Sequence, residues 1–314
     1  MTLDPSSSHI LLLGAACLDV VGRLETDLEP GTSNPARIRT SYGGVARNVA
    51  ENLARLGQPV QLISVVGNDL PSEELLAYTS ATGVGMSAVL RTEIYPTAFY
   101  MGVLDQHGRQ RYAVHDMRCL SELTPEYIQE KESLFEDASL VFMDGNLSEA
   151  SLKMVATLAK KYRIPVCADP ASLILAERLK PVLKKLHLVT PNVAEAVALT
   201  GQAFESSDPQ AALEDARALL NEGVEIALIA LAEFGVVYAT SKISGHVPAI
   251  QTPIVDPTGA GDALTAAVLY GLVNEMELDD AVRLGVSAAS LTLRHSGTVF
   301  PGLTLEKLYE TLVI

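Results

Sequence analysis

Short apolar runs alternate along the chain with stretches in which apolar residues recur at helical spacing. The runs lie at residues 9–16, 60–66, 139–143, 166–169, 186–190 and 226–231, and each has the length and composition of a buried strand. Helical repeats separate them, as in Val45, Val49, Leu53 and Leu56. This alternation predicts an α/β fold of three layers, with a mainly parallel central sheet and helices on both faces. Ligands of such folds bind beyond the carboxyl ends of the strands.

Two segments, residues 18–40 and 96–118, interrupt this alternation. In the second, two β-rich runs flank the turn Asp105-Gln106-His107-Gly108, which predicts a hairpin. Inserted β elements in such a domain commonly form a lid or a dimer edge, and packed surface decoration is the alternative. We therefore expect a single domain over residues 1–314 that carries a small β lid.

Charge, cysteine content and histidine content exclude several classes of protein. A formal net charge of -15 over 314 residues argues against a nucleic-acid partner, because a nucleic-acid groove needs a basic face. The three cysteines form no C-x-x-C pair and the six histidines form no metal-binding pattern, so neither a disulfide framework nor a histidine-held catalytic metal is predicted. The first apolar run is too short to span a membrane. We expect a cytoplasmic protein that acts on small molecules.

The sequence Asp256-Pro257-Thr258-Gly259-Ala260-Gly261-Asp262 precedes an apolar helical stretch. If Thr258 caps that helix, Gly259, Ala260 and Gly261 form its first turn, where unpaired N–H groups and the helix dipole attract an anion. Asp262 then lies beside the bound group and can accept a proton from an alcohol. The positive end of the helix favours its charged form, so a raised pKa is not required. An ordinary helix start is the alternative.

Two further motifs accompany this phosphate cradle. Gly43-Gly44 stands at the entrance of a predicted helix with Asn48 one turn further on, and Pro191-Asn192-Val193-Ala194-Glu195 follows a predicted strand. In order and spacing the three motifs resemble those of the ribokinase family, the PfkB carbohydrate kinases, across the whole chain. The resemblance implies a ribokinase-like αβα fold.

The resemblance also implies a reaction and its site residues. ATP would donate its terminal phosphoryl group to a primary (5′) hydroxyl, with Asp262 as general base and the N–H groups of residues 259–261 holding the transferring group. Magnesium would bridge the phosphates with water-mediated help from Glu195, and potassium, which many relatives bind near the cradle through backbone carbonyls, could lie at Asp256 and residues 290–297. The other residues implied are Asn192, Thr258 and Gly235 for the nucleotide, and Asp19, Gly43, Gly44, Asn48, Asn146 and Asp116 for the acceptor.

Within the family, the acceptor side of the chain is most similar to pseudouridine kinases. The similarity lies in residues 33–38, in the run from Gly43 to Ala54, in His115-Asp116-Met117 and in Asp144-Gly145-Asn146. Pseudouridine exposes an additional N–H because its glycosidic bond is to carbon. An acceptor in the lid, for which Asp116 is the candidate, would therefore favour it over uridine.

Two positions depart from the family pattern. Cys17 stands where many members carry Asn, two residues before Asp19, and this removes a donor and an acceptor for a sugar hydroxyl. The nucleotide loop reads Ala230-Leu231-Ala232-Glu233-Phe234-Gly235 and lacks the hydroxyl and one flexible residue of the usual pattern. We therefore expect reduced nucleotide affinity or a different donor.

Several alternatives stay open from the residues alone. The acceptor could be ribose, another sugar or another nucleoside. Ala230 and Ala232 are compatible with a ligand-binding pseudokinase or regulator, although the retained Asp262 argues against it. A nicotinamide dehydrogenase would need G-x-G-x-x-G after the first strand, where Gly14 is the one glycine. Analogy with the family suggests a homodimer through the lid strands, and no membrane partner is expected.

Overall fold

The computed structural model describes residues 9–201 and 208–312. The strands are β1 (His9–Leu13), β2 (Cys17–Leu24), β3 (Ala36–Gly43), β4 (Val60–Gly67), β5 (Gly85–Thr92), β6 (Ala98–Leu104), β7 (Gln110–Asp116), β8 (Ala138–Asp144), β9 (Val166–Asp169), β10 (Leu188–Val189), β11 (Ile226–Ala230), β12 (Val236–Thr240) and β13 (Ser244–Val247). The α-helices are α1 (Val45–Arg55), α2 (Leu70–Ala81), α3 (Pro125–Glu130), α4 (Ser133–Glu136), α5 (Glu149–Tyr162), α6 (Leu173–Ala176), α7 (Val193–Thr200), α8 (Pro209–Asn221), α9 (Ala260–Val273), α10 (Leu278–Leu293) and α11 (Leu305–Thr311). Short 3₁₀ helices lie at Arg118–Glu122, Glu177–Lys185 and Ala232–Phe234.

The larger sheet has the strand order β13-β12-β11-β10-β9-β8-β1-β4-β5. Neighbours from β11 to β5 are parallel, whereas β12 and β13 are antiparallel at one edge. The predicted mainly parallel sheet is confirmed, and each of the six apolar runs overlaps one of its strands. The chain places β4 and β5 on one side of β1 and then returns to β8 on the other side. Such a reversal of strand order opens a crevice at the carboxyl ends of β1 and β8.

Helices cover both faces of this sheet because its central strands are apolar on both sides. In β1, Ile10 and Leu12 pack into a core cluster with residues of α1 and α9. Leu11 and Leu13 point the other way and pack into a cluster with residues of α5. The predicted three-layer arrangement is confirmed by these two cores.

The smaller sheet has the order β3-β2-β6-β7 and is built from the two segments that interrupt the alternation. Its strands β6 and β7 are antiparallel and form the predicted hairpin. The register places Asp19 beside Tyr100 and Tyr100 beside His115, so these side chains share the face that lies over the crevice. The opposite face exposes a row of apolar side chains, Ile38, Met101, Tyr112 and Val114.

The cysteines Cys17, Cys119 and Cys167 are buried free thiols. Burial raises the pKa of each of them, which keeps them in the unreactive thiol form. In the ranges that the structure describes, the helices are too short or too polar to cross a bilayer.

Candidate active site

Two cavities meet in the crevice between the sheets. The first, about 250 Å³ in volume, lies under the lid sheet and is lined by residues of β2, β6, β7 and the beginnings of α1 and α9. The second, about 340 Å³, is lined mainly by apolar residues of the loop at 249–257 and of α9 and α10, with one residue each from β11 and β12. Residues 257–262 contribute to both walls, so the N terminus of α9 stands where the cavities meet.

The start of α9 differs from the sequence prediction. Its N-cap is Gly259, so the prediction that Thr258 caps the helix is wrong. The Thr258 hydroxyl instead donates to Asp256 Oδ1 at 2.8 Å. Gly259 has a φ of 80°, and a Cβ there would overlap the carbonyl oxygen of Thr298. Both the backbone conformation and the close packing therefore require glycine.

Open space lies in front of the first turn of α9. A Cβ added to Gly261 would meet no atom of the described residues within 4 Å. Ala260 and Gly261 line the 340 Å³ cavity, and Asp262 lines the 250 Å³ cavity. The first N–H groups of a helix have no partner within that helix, and its dipole is positive at this end. The position is suited to an anion that bridges the two cavities.

The Asp262 carboxylate faces the lid-side cavity. Its Oδ2 accepts a hydrogen bond of 2.6 Å from the side-chain amide of Asn48. Burial in the crevice raises the pKa of Asp262 to about 7, although Asn48 and the charge of Arg47 oppose the shift. Desolvation therefore outweighs the helix terminus, contrary to the expectation that the terminus would keep the charged form favoured. A carboxyl with this pKa changes its charge near neutral pH.

The orientation of Asn48 follows from its neighbour Arg47. Arg47 is fully buried on α1, and its guanidinium donates to Asn48 Oδ1. The same guanidinium donates to the carbonyl oxygens of Tyr42, at 2.7 Å, and Gly43, at 3.0 Å. Because the amide oxygen of Asn48 accepts from this cation, the amide nitrogen is the atom that faces Asp262.

Asp19 lies on β2 and faces the same cavity. The thiol of Cys17 donates to its Oδ1 at 3.1 Å, so the residue that departs from the family pattern serves as a weak donor to this carboxylate. A Cβ on Gly43 would overlap the Asp19 carboxylate, which explains the glycine there. Burial raises the pKa of Asp19 to about 6, opposed by the Cys17 hydrogen bond and the charge of Arg47.

The loops at the mouth of the crevice are joined by the buried Asp144. Its carboxylate accepts hydrogen bonds from the N–H groups of Ala15 at 2.9 Å, Ala46 at 3.0 Å and Asn146 at 2.9 Å. Gly44, the N-cap of α1, has a φ of 95°, and a Cβ there would overlap the Ala15 carbonyl oxygen. These hydrogen bonds hold together the ends of β1 and β8 and the start of α1. Asn146 lies in the wall of the 250 Å³ cavity.

The lid contributes His115 and Tyr100 to the wall of the 250 Å³ cavity, but not Asp116. Asp116 lies on the opposite face of the sheet, in register with Phe99. Its carboxylate pairs with Arg118, whose hydrogen bonds lower the pKa of Asp116 to about 2. The structure thus brings His115, and not its sequence neighbour, into the wall of the 250 Å³ cavity.

The 340 Å³ cavity contains Gly235 in its wall, together with Ala230 and Ala232. The two alanines, which replace more polar or more flexible residues of the family pattern, leave an apolar surface at this point. The polar side chains in this wall are those of Glu233, Gln251, Thr252 and Ser290. The cavity is suited to a flat apolar group with polar edges, as a purine base is.

Asn192 and Glu195 form a capping box at the start of α7. Asn192 Oδ1 accepts from the N–H of Glu195 at 3.0 Å, and Glu195 Oε2 accepts from the N–H of Asn192 at 2.9 Å. Neither residue lines either of the two cavities. Nearby, Asp169 has a strongly raised pKa, first because of burial and then because of the charges of Glu195 and Asp262. The charges of Glu195 and Asp262 thus act on Asp169, although among the described residues these carboxylates do not form a group that could hold a metal ion.

Asp256 is held by protein donors on both carboxylate oxygens. Its Oδ1 accepts from the N–H of Thr258 at 3.0 Å, and its Oδ2 accepts from the N–H of Gly297 at 3.3 Å. The guanidinium of Arg39, from the lid strand β3, forms an ion pair with Oδ2. The carboxylate suggested for potassium therefore already has a cation beside it.

Several residues that shape this site have no role that was predicted from the sequence. They are Arg39, Arg47, Tyr100, Asp144, His115 and Thr298. Arg47 did leave a signal, because an Arg and a Glu four residues apart in an apolar helix indicate a buried ion pair, and Arg47 does pair with Glu51. Arg39 left none, since its partner is more than two hundred residues away.

The parallel sheet, the lid and the helix terminus between two cavities define a ribokinase-like α/β kinase. Residues 7–304 match the pfkB family of carbohydrate kinases. The chain is 30% identical over 298 residues to the pseudouridine kinase of Escherichia coli, with 95% of this chain and 94% of that protein covered. It is 27% identical to the guanosine-inosine kinase of Exiguobacterium acetylicum, with 90% and 93% covered. The structure of Arabidopsis thaliana ribokinase complexed with ribose and ATP has a TM-score of 0.83 at 22% identity, with 98% and 99% of the two chains covered.

The chain therefore belongs to the pfkB family of carbohydrate kinases, as its motifs predicted. It is a kinase that transfers a phosphoryl group to a hydroxyl group of a sugar or nucleoside.

Proposed function

We propose that this kinase phosphorylates the primary (5′) hydroxyl of pseudouridine with ATP as donor. The observation that carries the proposal is the position of Asp262, at the N terminus of α9 and in the wall of a cavity that the lid closes. A ring-bearing side chain, His115, stands in the lid part of the same wall. A nucleoside placed with its sugar near Asp262 would have its base near the lid.

In the proposed reaction Asp262 acts as general base. Its carboxylate accepts the proton of the 5′ hydroxyl, the hydroxyl oxygen forms a bond to the terminal phosphorus of ATP, and the bond from that phosphorus to the bridging oxygen of ADP breaks. The hydrogen bond from Asn48 stabilises the charged form of Asp262 and fixes the position of its second oxygen. The Asp262 carboxylate is therefore mostly ionised, and able to accept a proton, at slightly alkaline pH.

The first turn of α9 would hold the transferring phosphoryl group. The N–H groups of Gly259 and Gly261 would supply donors, joined by that of Ala260 once it gives up its long hydrogen bond of 3.4 Å to the Pro257 carbonyl, and preorganised dipoles of this kind are effective where water is excluded. The open space at Gly261 gives the group room to approach. Thr258, whose hydroxyl is oriented by Asp256, lies next to this turn on the acceptor side.

In the proposed reaction magnesium would lie near Asp169 and Glu195. Burial raises the pKa values of Asp169 and Glu195, and the charge of Glu195 raises that of Asp169 further. A divalent cation would relieve that repulsion. Among the residues that the structure describes, no three metal-binding side chains form a group. Glu195 would therefore act through water, since Mg²⁺ usually keeps water and phosphate ligands. When bound, the ion neutralises charge on the phosphates.

The sugar hydroxyls would be bound by Asp19 and Asn48, with Gly43 and Gly44 allowing close approach to the backbone. Asp19 is fixed by Cys17, and Asn48 by Arg47, so both side chains are oriented before a ligand arrives. Asn146 reaches the same cavity from the end of β8. The nucleotide would occupy the 340 Å³ cavity along Gly235, whereas Asn192 caps α7 outside the wall of that cavity and would contact the phosphates only where they extend toward α7.

Base recognition is assigned in this proposal to His115 and Tyr100, not to Asp116. A neutral imidazole offers one acceptor nitrogen, and pseudouridine has one more N–H donor than uridine. The Tyr100 hydroxyl donates to Gln110 at 2.9 Å and is thus held at the edge of the lid. Hydrogen-bond acceptors at this position would bind the additional N–H of pseudouridine and so favour pseudouridine over uridine.

The test is magnesium-dependent ADP release from ATP with a panel of acceptors. The panel contains pseudouridine, uridine, guanosine, inosine, adenosine, ribose and fructose, and the Asp262→Asn variant is the control for the base. We expect the highest kcat/KM with pseudouridine and loss of turnover in the variant. A higher kcat/KM with another acceptor would refute pseudouridine as the substrate, while the assignment as a kinase would stand. If no acceptor supports ADP release although the protein still binds ATP, a ligand-binding regulator would be favoured.

The lid is also proposed to join two copies of the chain. The side chains of Ile38, Met101, Tyr112 and Val114 lie on one face of a single sheet and are 42–66% exposed. A contiguous exposed apolar surface of this kind marks an association site. Packing the outer faces of two lid sheets together would cover these side chains in both copies.

A further inference from the structure

The cation beside the phosphate cradle belongs to the lid. Arg39 lies on β3, in register with Val21 of β2 and thus on the face of the lid sheet that carries Asp19. Its guanidinium crosses the crevice and pairs with Asp256. The side chain of Arg39 is 24% exposed and that of Asp256 is 4% exposed, so most of the pair is removed from water.

Asp256 shapes the turn from which α9 starts. Its carboxylate binds the N–H and hydroxyl of Thr258 and the N–H of Gly297, and these bonds fix the backbone on both sides of Gly259. A buried carboxylate is costly unless an opposite charge accompanies it. The conformation of the cradle therefore depends on a positive charge beside Asp256.

Arg39 is the cation available for this purpose in the described part of the chain. Arg47 is already bound to Glu51 and to the carbonyl oxygens of Tyr42 and Gly43. Arg294 follows Leu293, whose carbonyl oxygen accepts from the N–H of Asp256, but its guanidinium donates to Thr252 and Ser290. Asp256 has no ion-pair partner other than Arg39 among the described residues. Arg39 Nη1 and Nη2 are buried and have no hydrogen-bond partner among the described residues, so the pair with Asp256 is the one ion pair of this guanidinium there, although its charge also lowers the pKa of Asp19.

A monovalent metal ion does not fit this arrangement. The guanidinium stands against Oδ2, and the other oxygen is engaged by two donors of Thr258. A potassium ion at this carboxylate would have to displace Arg39 or lie against it, and two cations repel each other. The expectation of potassium at Asp256 is thus at odds with the geometry.

We propose that Arg39 supplies the positive charge at Asp256 from within the chain, in place of a monovalent ion. Nucleotide binding at the cradle is then independent of added potassium, and it depends on the lid strand that carries Arg39. Arg39 acts as a positioning residue, because it touches Asp256 and not the reacting atoms. The inference rests on nucleotide binding beside α9, as in the proposed function, but not on the identity of the acceptor.

The experiment measures binding of a non-hydrolysable ATP analogue with Mg²⁺ by calorimetry, without acceptor. Wild type, Arg39→Ala, Arg39→Lys and Arg37→Ala are compared at equal concentrations of KCl, NaCl and tetramethylammonium chloride, and with a low concentration of guanidinium chloride. Arg37 is the matched control, since it lies two residues earlier on the same face of β3 and its exposed side chain pairs with Glu25. Circular dichroism checks that each variant is folded.

We expect the wild type and Arg37→Ala to bind the analogue equally in all three salts, within about twofold, because an exposed ion pair contributes little. Arg39→Ala should bind about tenfold more weakly in tetramethylammonium chloride, the loss expected for one charge-assisted hydrogen bond. Potassium or guanidinium should restore most of that loss, and Arg39→Lys should lie in between.

Three outcomes would overturn the inference. The first is a wild type that needs potassium for binding, a result that does not depend on any variant being folded. The second is a folded Arg39→Ala with unchanged affinity, and the third is a loss that no cation restores, which would indicate a structural role alone. A wild type that binds no analogue in any salt would instead refute the nucleotide part of the proposed function.

Discussion

The side-chain amide of Asn48 donates a hydrogen bond of 2.6 Å to Asp262 Oδ2, and this bond joins α1 to α9 across the crevice. The two residues come from motifs more than two hundred positions apart. In the proposed reaction one motif would bind the acceptor and the other the phosphates, so the bond would directly link the two halves of that reaction.

Replacing Asp262 by Asn should separate chemistry from binding. The variant keeps the shape of the side chain but cannot accept a proton, and we expect kcat to fall about a thousandfold, within the range for loss of a general base. Affinity for an ATP analogue should change little, because Asp262 lines the acceptor cavity and not the 340 Å³ cavity. Steady-state kinetics and calorimetry measure the two effects. Unchanged turnover would rule out Asp262 as the base.

The pH dependence of kcat/KM should report the ionisation of Asp262. The base must be ionised to accept a proton, and its pKa is raised to about 7, so activity should fall as the pH drops below about 7. Asn48→Leu removes a hydrogen bond that favours the charged form, so the midpoint should move to higher pH. Asn146→Ala is the control, because Asn146 lines the cavity without bonding Asp262. A midpoint that stays in place in Asn48→Leu would contradict this assignment.

Two glycine variants should affect stability and nucleotide binding differently. Gly259→Ala forces a left-handed conformation on alanine and overlaps Thr298, so the free energy of unfolding should fall by about 2 kcal/mol or more. Gly261→Ala meets open space, so stability should be kept while the added methyl group weakens binding of an ATP analogue. Thermal unfolding and calorimetry measure these effects. Full nucleotide affinity in Gly261→Ala would show that phosphate does not use this space.

Neighbouring lid residues should differ in their effect on the acceptor. His115 lines the 250 Å³ cavity and Asp116 lies on the other face of β7, paired with Arg118. We expect His115→Ala to lower kcat/KM for pseudouridine about tenfold, as for one lost hydrogen bond to the base, and to affect ribose less. Asp116→Ala should resemble the wild type. The reverse pattern would restore the carboxylate as the residue that selects the base.

The apolar outer face of the lid should control association. Tyr112 is 60% exposed on this face, whereas Tyr309, which is 54% exposed on α11, lies outside the lid and offers a matched control. We expect a dimer for the wild type and for Tyr309→Lys, and a monomer for Tyr112→Lys, because a buried unpaired charge destabilises an interface. Light scattering coupled to size-exclusion chromatography gives the masses. A wild-type monomer at micromolar concentration would refute the proposal.

Most of the fold could be predicted from the sequence because its information is local. Strands such as β4 and β8 are buried on both faces and therefore read as continuous apolar runs. The pairing of β6 with β7 was also local, since the turn residues between them predict a hairpin. The strand order around β1 and the antiparallel edge formed by β12 and β13 depend on how distant elements pack.

The site could be predicted in its motifs but not in its details. Thr258 is a good N-cap by type, yet Gly259 takes that position because it packs against Thr298, a contact that no local pattern shows. The choice between His115 and Asp116 depends on the register of the hairpin, which turn residues alone did not fix. The pKa of Asp262 is set mainly by burial, which raises it. Burial could not be read from the sequence, whereas the helix start, whose dipole lowers the pKa of a carboxyl group, could.

The alternation along β6 and β7 gives neighbouring residues different tasks. Tyr100 and His115 face the cavity, while Met101 and Val114, one step along each strand, face away from it. Inserting or deleting a single residue ahead of the hairpin would turn every side chain of these strands over. Among related proteins, insertions and deletions in this lid are therefore expected in the turn between β6 and β7. Changes in acceptor preference are expected from substitutions at the alternate positions of β6 and β7 that face the cavity.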